Sequence, residues 1–368
     1  MNELVLDLRD RRPVWAMPDW VADEVRSALP GDWIVHVVQE ASDGSGDGAA
    51  RVSPEVLDAV RDARVYLGYG IAPEILTAGS RLEWVHSAAA GVGTSLTAEL
   101  RASGVRFTNS AGIHGPPIAE TVVAMILHFA RGLDSAVEAR TRREWSAEPW
   151  YAGDPPPREV GHGTVGIVGL GGVGGEVARR VLALGARVLG LRRGPFGGPP
   201  LAASPGGARK RVDRGPRWVE PLPEDTEGLE VVTGEAGLIR VLERSDYVVV
   251  TAPHTPETEG LISRSALARV KPGAVLINVS RGALVDEEAL VDALRGGRLR
   301  GAALDVARVE PLPPDHPLWE LPNVLITPHV SAVSTGFWRR EADLITGNIR
   351  RFVEGRPLLN QVDVDAGY

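Results

Sequence analysis

The chain has 368 residues, more than one ordinary hydrophobic core organises, so two domains are expected. Hydrophobic residues at 43% and charged residues at 24% are the proportions of a soluble globular protein, and no apolar stretch reaches the roughly 20 residues that span a bilayer. A formal net charge of -8 argues against nucleic acid as the main partner, and the absence of cysteine excludes disulfides and thiolate metal sites.

Met1 to Asp10 carries acids where a secretory leader needs a basic and then an apolar run, so the cytoplasm is the expected compartment. Trp33 to Val38, Val65 to Leu67, Leu82 to His86 and Val105 to Thr108 read as strands. Pro54 to Ala63 and Pro73 to Ala78 read as helices, each opened by a proline, and Asp43 to Ala50 reads as a loop. Ile118 to Arg131 is a helix whose apolar residues nearly encircle it, which predicts burial. The Pro-rich stretch Glu148 to Glu159 cannot continue a helix.

The pattern then changes. Thr164 to Gly169 is a strand and Gly175 to Leu184 a helix. Arg187 to Leu191, Tyr247 to Thr251, Val275 to Val279, Ala302 to Val306 and Val324 to Thr327 follow as short apolar strands, with a clear helix at Glu287 to Arg295. Strands apolar on both faces and separated by helices indicate a parallel sheet covered on both sides. Pro195 to Gly228, dense in Pro, Gly and charge, reads as a surface insertion. Phe337 to Phe352 is an amphipathic helix expected to pack back on the first domain.

Gly169, Leu170, Gly171, Gly172, Val173 and Gly174 fall between a strand and a helix. A dinucleotide site needs that pattern: a tight turn at the first glycine, backbone close to pyrophosphate at the second, and close helix packing at the third. The helix N-terminus then offers free N–H groups to the phosphates. Beyond Leu191, where an acid would bind the ribose hydroxyls of NAD, stand Arg192 and Arg193. Guanidinium groups there suit a 2′-phosphate, so NADP is favoured over NAD.

Polar residues collect at the carboxyl ends of these strands, where open parallel sheets bind ligands. Thr251, Ala252, Pro253 and His254 end one strand, and Asn278, Val279, Ser280 and Arg281 the next; Asp305 and then Thr327, Pro328 and His329 end two more. Hydride transfer to a 2-oxo acid needs a cation to grip the carboxylate and polarise the carbonyl, for which Arg has the best shape. It needs a general acid near neutral pH, which suits His, and a carboxylate to hold that His. Arg281, His329 and Glu310 supply these types, and no metal cluster competes with them.

The Thr164–Gly174 turn, Asn278–Gly282 with Ala283, Leu284 and Val285, Leu304–Val306 with Glu310 and Pro311, Thr327–Ser331, and the Gly355–Leu358 tail resemble the D-isomer-specific 2-hydroxyacid dehydrogenases. The resemblance runs from about Arg64 to Asp363 and points to the glyoxylate/hydroxypyruvate reductase-like branch. It implies an α/β fold of two Rossmann/flavodoxin-like doubly wound parallel-sheet domains with the cleft between them. A discontinuous substrate domain, residues 1–113 plus 334–368, would flank an NAD(P)-binding domain, residues 114–333. A homodimer and a small 2-oxo or 2-hydroxy acid substrate are implied, as are Arg281 as substrate anchor, His329 as acid/base and Glu310 as its partner. Ala90, Gly91 and Val92 would bind the substrate carboxylate through backbone N–H groups. The cofactor would meet Ala252, Pro253, Thr258, Val279, Ser280, Asp305, Arg281 and His329 besides the glycine turn. Gly93, Thr94 and Ser95 depart from the family's aspartates, and Ala307 stands where Phe is common.

Three other readings share the architecture. Formate dehydrogenase is disfavoured by Glu310, since that branch carries Gln there; a short phosphoglycerate dehydrogenase and a dinucleotide-sensing corepressor stay open. His36, His86, His114, His128, His162 and His316 read as ordinary packing or surface residues, with His128 in the core, while His254 could face the cofactor and Trp319 could line the site. The substrate's side chain is not legible.

Overall fold

The computed structural model describes residues 2–41, 52–152, 156–192 and 222–365. Among them the chain divides into two compact units, one holding residues up to His114 and from Val333 onward, the other running from Gly115 to Ala332. The Asp43 to Ala50 loop, Arg193 and most of the Pro195 to Gly228 insertion lie outside the described residues.

In the first unit, β1 (Asn2–Asp7), β2 (Trp33–Val37), β3 (Val65–Gly68), β4 (Trp84–Ser87) and β5 (Arg106–Asn109) form a parallel sheet in the order β2-β1-β3-β4-β5. Parallel pairing needs crossovers, and Asp19–Ala28, Pro54–Ala59, Pro73–Ala78 and Ala98–Ser103 supply them as helices. Ser53 Oγ and Thr97 Oγ1 accept from Val56 N at 3.3 Å and Leu100 N at 3.2 Å, satisfying first-turn donors of two of these helices. β1 does not announce itself in the sequence, because Glu3 and Asp7 bracket its short apolar run. In the fold Leu4, Val5 and Leu6 are each 0% exposed, and the strand lies between β2 and β3.

The helix Phe337–Val353 packs against Asp19–Ala28 in this same unit, as its amphipathic pattern predicts. The tail then runs beside β5: Val362 N donates to Phe107 O at 2.8 Å and Asn109 N to Asn360 O at 3.2 Å. This covers a sheet edge that would otherwise leave backbone groups open.

In the second unit, β6 (Thr164–Val168), β7 (Arg187–Arg192), β8 (Leu229–Thr233), β9 (Tyr247–Val250), β10 (Ala274–Asn278), β11 (Leu299–Leu304) and β12 (Val324–Ile326) are parallel in the order β12-β11-β10-β9-β6-β7-β8. Strand residues feed two cores alternately. Val248 and Val250 pack with Leu238, Leu267 and Leu290 on one face, while Val249 and Ile277 pack with Val122, Ile126 and Val177 on the other. Both faces are therefore covered, as the unbroken apolar strands predict. The buried helix spans Gly115–Ala130, and the helix after the glycine turn starts at Gly172, three residues earlier than the pattern suggests. Leu133–Arg142 and the single turn Glu148–Tyr151 are helices the sequence reading does not single out; the second begins with Pro149 in its first turn, where a proline costs no hydrogen bond.

Candidate active site

Strand order in the second unit reverses between β6 and β9, which leaves a crevice at their carboxyl ends. The glycine turn sits there, and each glycine has a distinct reason. Gly169 has φ +108, and a Cβ on it would come within 2.5 Å of Ala252 N. A Cβ on Gly174 would overlap Gly169 O, so that glycine lets helix and strand touch. Around Gly171 there is open space within 4 Å, the room a pyrophosphate requires. No side chain caps the helix Gly172–Ala183, so its first-turn N–H groups are available to an anion. These residues fit a dinucleotide.

The neighbouring strand ends are tied to one another. Ser280 Oγ donates to Ala252 O, joining the loop after β10 to that after β9. Asn278 Nδ2 donates to Arg281 O at 3.0 Å, and Arg281 Nη1 donates to Ser280 O at 2.8 Å, so the arginine is set by its own strand end. Gly282 follows, and a Cβ there would overlap the Ala307 carbonyl and the Arg308 nitrogen. The absence of a side chain lets the Arg281 segment lie against the segment that carries Glu310. Ala307 belongs to that contact, and its N–H donates to Glu310 Oε1 at 3.1 Å.

His329 stands at φ 54, in the left-handed region that non-glycine residues seldom adopt. Asp305, 1% exposed, holds it there. Its backbone O accepts from His329 N at 2.8 Å, and its carboxylate accepts from Thr327 Oγ1 at 2.6 Å, Val330 N at 2.9 Å and Ser331 N at 3.0 Å. The Asp305 carboxylate, expected to meet the cofactor, holds the turn that presents the histidine. His329 Nδ1 lies 2.7 Å from Glu310 Oε2, with side chains 42% and 39% exposed. A carboxylate only accepts, so Nδ1 carries the hydrogen facing it, and Nε2 makes no hydrogen bond among the described residues.

In the first unit, the loop after β4 holds Ala90, Gly91 and Val92. Ala89 O accepts from Ser110 N at 3.2 Å and Ala90 O from Asn109 Nδ2 at 2.8 Å. A trans peptide points C=O and N–H in opposite directions, so the N–H groups of Ala90 and Gly91 turn away from β5. The Val92 side chain is 7% exposed and its O accepts from Ser95 N at 2.9 Å, opening the 3-10 turn Gly93–Ser95. Ser95 Oγ accepts from Ile71 N at 3.0 Å, so the residues that depart from the family's aspartates form an anchored turn.

Other expected residues have local roles. Thr258 Oγ1 donates to Pro253 O at 2.7 Å and accepts from Thr255 N at 2.8 Å, which shapes the loop after β9. Arg192 ends β7 and pairs with Glu224, a residue sequence order gives no reason to suspect. His254 Nε2 is 3.8 Å from Glu259 Oε2 at the surface, and Trp319 is 52% exposed with its indole N–H on Pro313 O at 2.9 Å. His128 is only half-buried, with burial lowering its pKa, so it is not the core residue expected. His86 is instead the buried one, 0% exposed, while His114 is half-buried like His128.

The family model for D-isomer specific 2-hydroxyacid dehydrogenase, NAD binding domain, matches residues 123–196 and 218–331. A D-3-phosphoglycerate dehydrogenase of Mycobacterium tuberculosis is 33% identical over 294 residues, covering 80% of this chain and 49% of the relative. The chain thus spans about half the length of that relative. A glyoxylate reductase of Korarchaeum cryptofilum is 32% identical over 285 residues, covering 77% of this chain and 76% of the relative. A solved D-isomer specific 2-hydroxyacid dehydrogenase of Xanthobacter autotrophicus, in complex with NADPH and MES, superposes with a TM-score of 0.73 at 29% identity, covering 100% of this chain and 99% of that one.

Proposed function

The chain belongs to the D-isomer-specific 2-hydroxyacid dehydrogenases, and from that membership we propose that it interconverts a D-2-hydroxy acid and its 2-oxo acid, using NADP(H) in preference to NAD(H). The observation that carries this reading is the His329–Glu310 pair, set at 2.7 Å on a turn built by Asp305. A nicotinamide dinucleotide on the Gly169–Gly174 turn supplies the hydride when bound. As the substrate carbonyl is reduced, its oxygen gains negative charge, and Arg281 stabilises that charge while holding the acid. His329 Nε2 gives its proton to the oxygen, and Glu310 steadies the imidazole through the transfer. In the reverse direction His329 takes the hydroxyl proton. The N–H groups of Ala90 and Gly91 suit a substrate carboxylate, which two donors side by side can bind.

Support for NADP comes from Arg192 at the end of β7, where a cation favours a 2′-phosphate, and from the NADPH in the Xanthobacter structure. Glyoxylate is the first substrate to try, given the Korarchaeum relative. A homodimer in the cytoplasm belongs to the same proposal. Leu133, Val137, Trp145 and Tyr151 are 46%, 53%, 105% and 85% exposed, an apolar surface suited to a second copy.

The test is a panel of glyoxylate, hydroxypyruvate, pyruvate and 3-phosphohydroxypyruvate with NADPH and NADH. Reduction of a small 2-oxo acid is the expected result. Turnover confined to 3-phosphohydroxypyruvate would favour phosphoglycerate chemistry, and no turnover of any of the four would overturn the enzyme reading.

A further inference from the structure

Four polar side chains are sealed inside the first unit at the ends of β4 and β5: His86, Thr108, Ser110 and Glu341, each 0% exposed. Glu341 comes from the helix Phe337–Val353, 255 positions from His86. Its Oε1 lies 2.9 Å from His86 Nε2, and its Oε2 accepts from Ser110 Oγ at 2.8 Å. His86 Nδ1 is 2.8 Å from Thr108 Oγ1, which also accepts from Trp84 Nε1 at 2.8 Å. Ser110 Oγ further lies 3.1 Å from Ser87 O.

Burying a carboxyl group is costly, and apolar replacements of the same volume often serve stability as well. What the cluster gives is position. Ser87 and Ser110 are the residues at the two strand ends that shape the Ala89–Gly91 loop. Ser110 N holds Ala89 O, Asn109 beside it holds Ala90 O at 2.8 Å, and Ser87 Oγ accepts from Ala89 N at 3.3 Å. Turning either strand end would turn the peptide planes of Ala90 and Gly91 with it.

We propose that Glu341 is a positioning residue for substrate: through His86 and Ser110 it locks the ends of β4 and β5, and so aims the Ala90 and Gly91 N–H groups at the substrate carboxylate. This rests on the dehydrogenase reading above, in which those N–H groups take the carboxylate. The last helix of the chain then sets the affinity for the acid without touching it.

Steady-state kinetics of wild type, Glu341→Gln and Ser110→Ala with glyoxylate and NADPH test it. Gln keeps the shape but cannot accept on both sides, so KM for glyoxylate rises about 10-fold in Glu341→Gln and roughly 3-fold in Ser110→Ala. The kcat stays within about twofold, and KM for NADPH is unchanged. Ser110→Ala removes a single oxygen and remains informative if Glu341→Gln does not fold. An unchanged glyoxylate KM in the folded variants overturns the proposal while wild-type turnover leaves the dehydrogenase reading standing. So does an equal loss across kcat and both KM values, which marks general loosening. A wild type that reduces no 2-oxo acid overturns both.

Discussion

The two sheets are built alike and differ in what they enclose. In the second unit the middle of the sheet is apolar: Val165, Ile167, Val249, Leu276 and Ile277 are each 0% exposed, and Asn278, Ser280 and Asp305 stand where strands stop. The first unit seals ionisable groups inside. Burial pushes His114 down to about 4, with Glu341 raising it and Arg340 lowering it less strongly. Burial also pushes Asp7 up to about 6, against the hydrogen bond from Tyr66 and with help from Glu55 and Glu40. The lesson is a division of labour. The second unit keeps His329 and Glu310 at an exposed edge, while the first uses buried titratable groups such as His86 and Glu341 as internal framework.

The sharpest way to break that comparison is His329→Ala. It should lower kcat by about 10²–10⁴-fold, the usual worth of a positioned acid/base, while NADPH binding by fluorescence is unchanged. Turnover equal to wild type would remove the edge of the second unit from the chemistry. Gly282→Ala comes next. Its Cβ would overlap the Ala307 carbonyl, forcing the Arg281 and Glu310 segments apart, and kcat/KM should fall on the order of 100-fold with the circular dichroism preserved.

A third test concerns the interior of the first unit. His114 has a folded pKa below its free value of 6.5, so its contribution is present above that value and lost as pH falls towards about 4. Asp7 is the opposite case. Its folded pKa lies above 3.8, so the folded state holds the proton, and stability declines as pH rises from there through about 6. Asp7→Asn should therefore gain on the order of 1–3 kcal/mol at pH 7.5. Amide exchange in β1 reads this, and no gain at pH 7.5 would show that Asp7 stays charged without penalty.

The smallest effect is at the cofactor end. Glu224 shares Arg192 with any 2′-phosphate, so Glu224→Gln should lower KM for NADPH by roughly 3- to 5-fold, the worth of one screened charge at close range, and leave KM for NADH nearly unchanged. Arg192→Asp should shift preference towards NADH.

Much of the second unit is legible in the sequence, because a strand buried on both faces is a continuous apolar run and a glycine turn has few other uses. β8 escapes because Leu229–Thr233 carries Glu230 and is only partly buried. The first unit reads less well. β1 is bracketed by acids, and nothing near Glu341 or His86 tells of their pairing, since each sits alone among ordinary helix or strand neighbours. Asp305 is visible as a residue at a strand end; that its carboxylate builds the turn of His329 is not, because three of its partners come from the next strand's end.

By itself the sequence determined the alternation of strands and helices, the turn for a dinucleotide, the presence of Arg281 and His329 at strand ends, and that of Glu310 in the segment after another. These follow from local periodicity and from residue types whose chemistry is theirs alone. Only the tertiary structure decided that His329 faces Glu310 at 2.7 Å, that Gly282 lets two loops touch, that Glu224 claims Arg192, and that a carboxylate of the last helix reaches β4 and β5. Such pairings depend on where distant segments are brought by the packing of two cores, and no spacing along the chain records that.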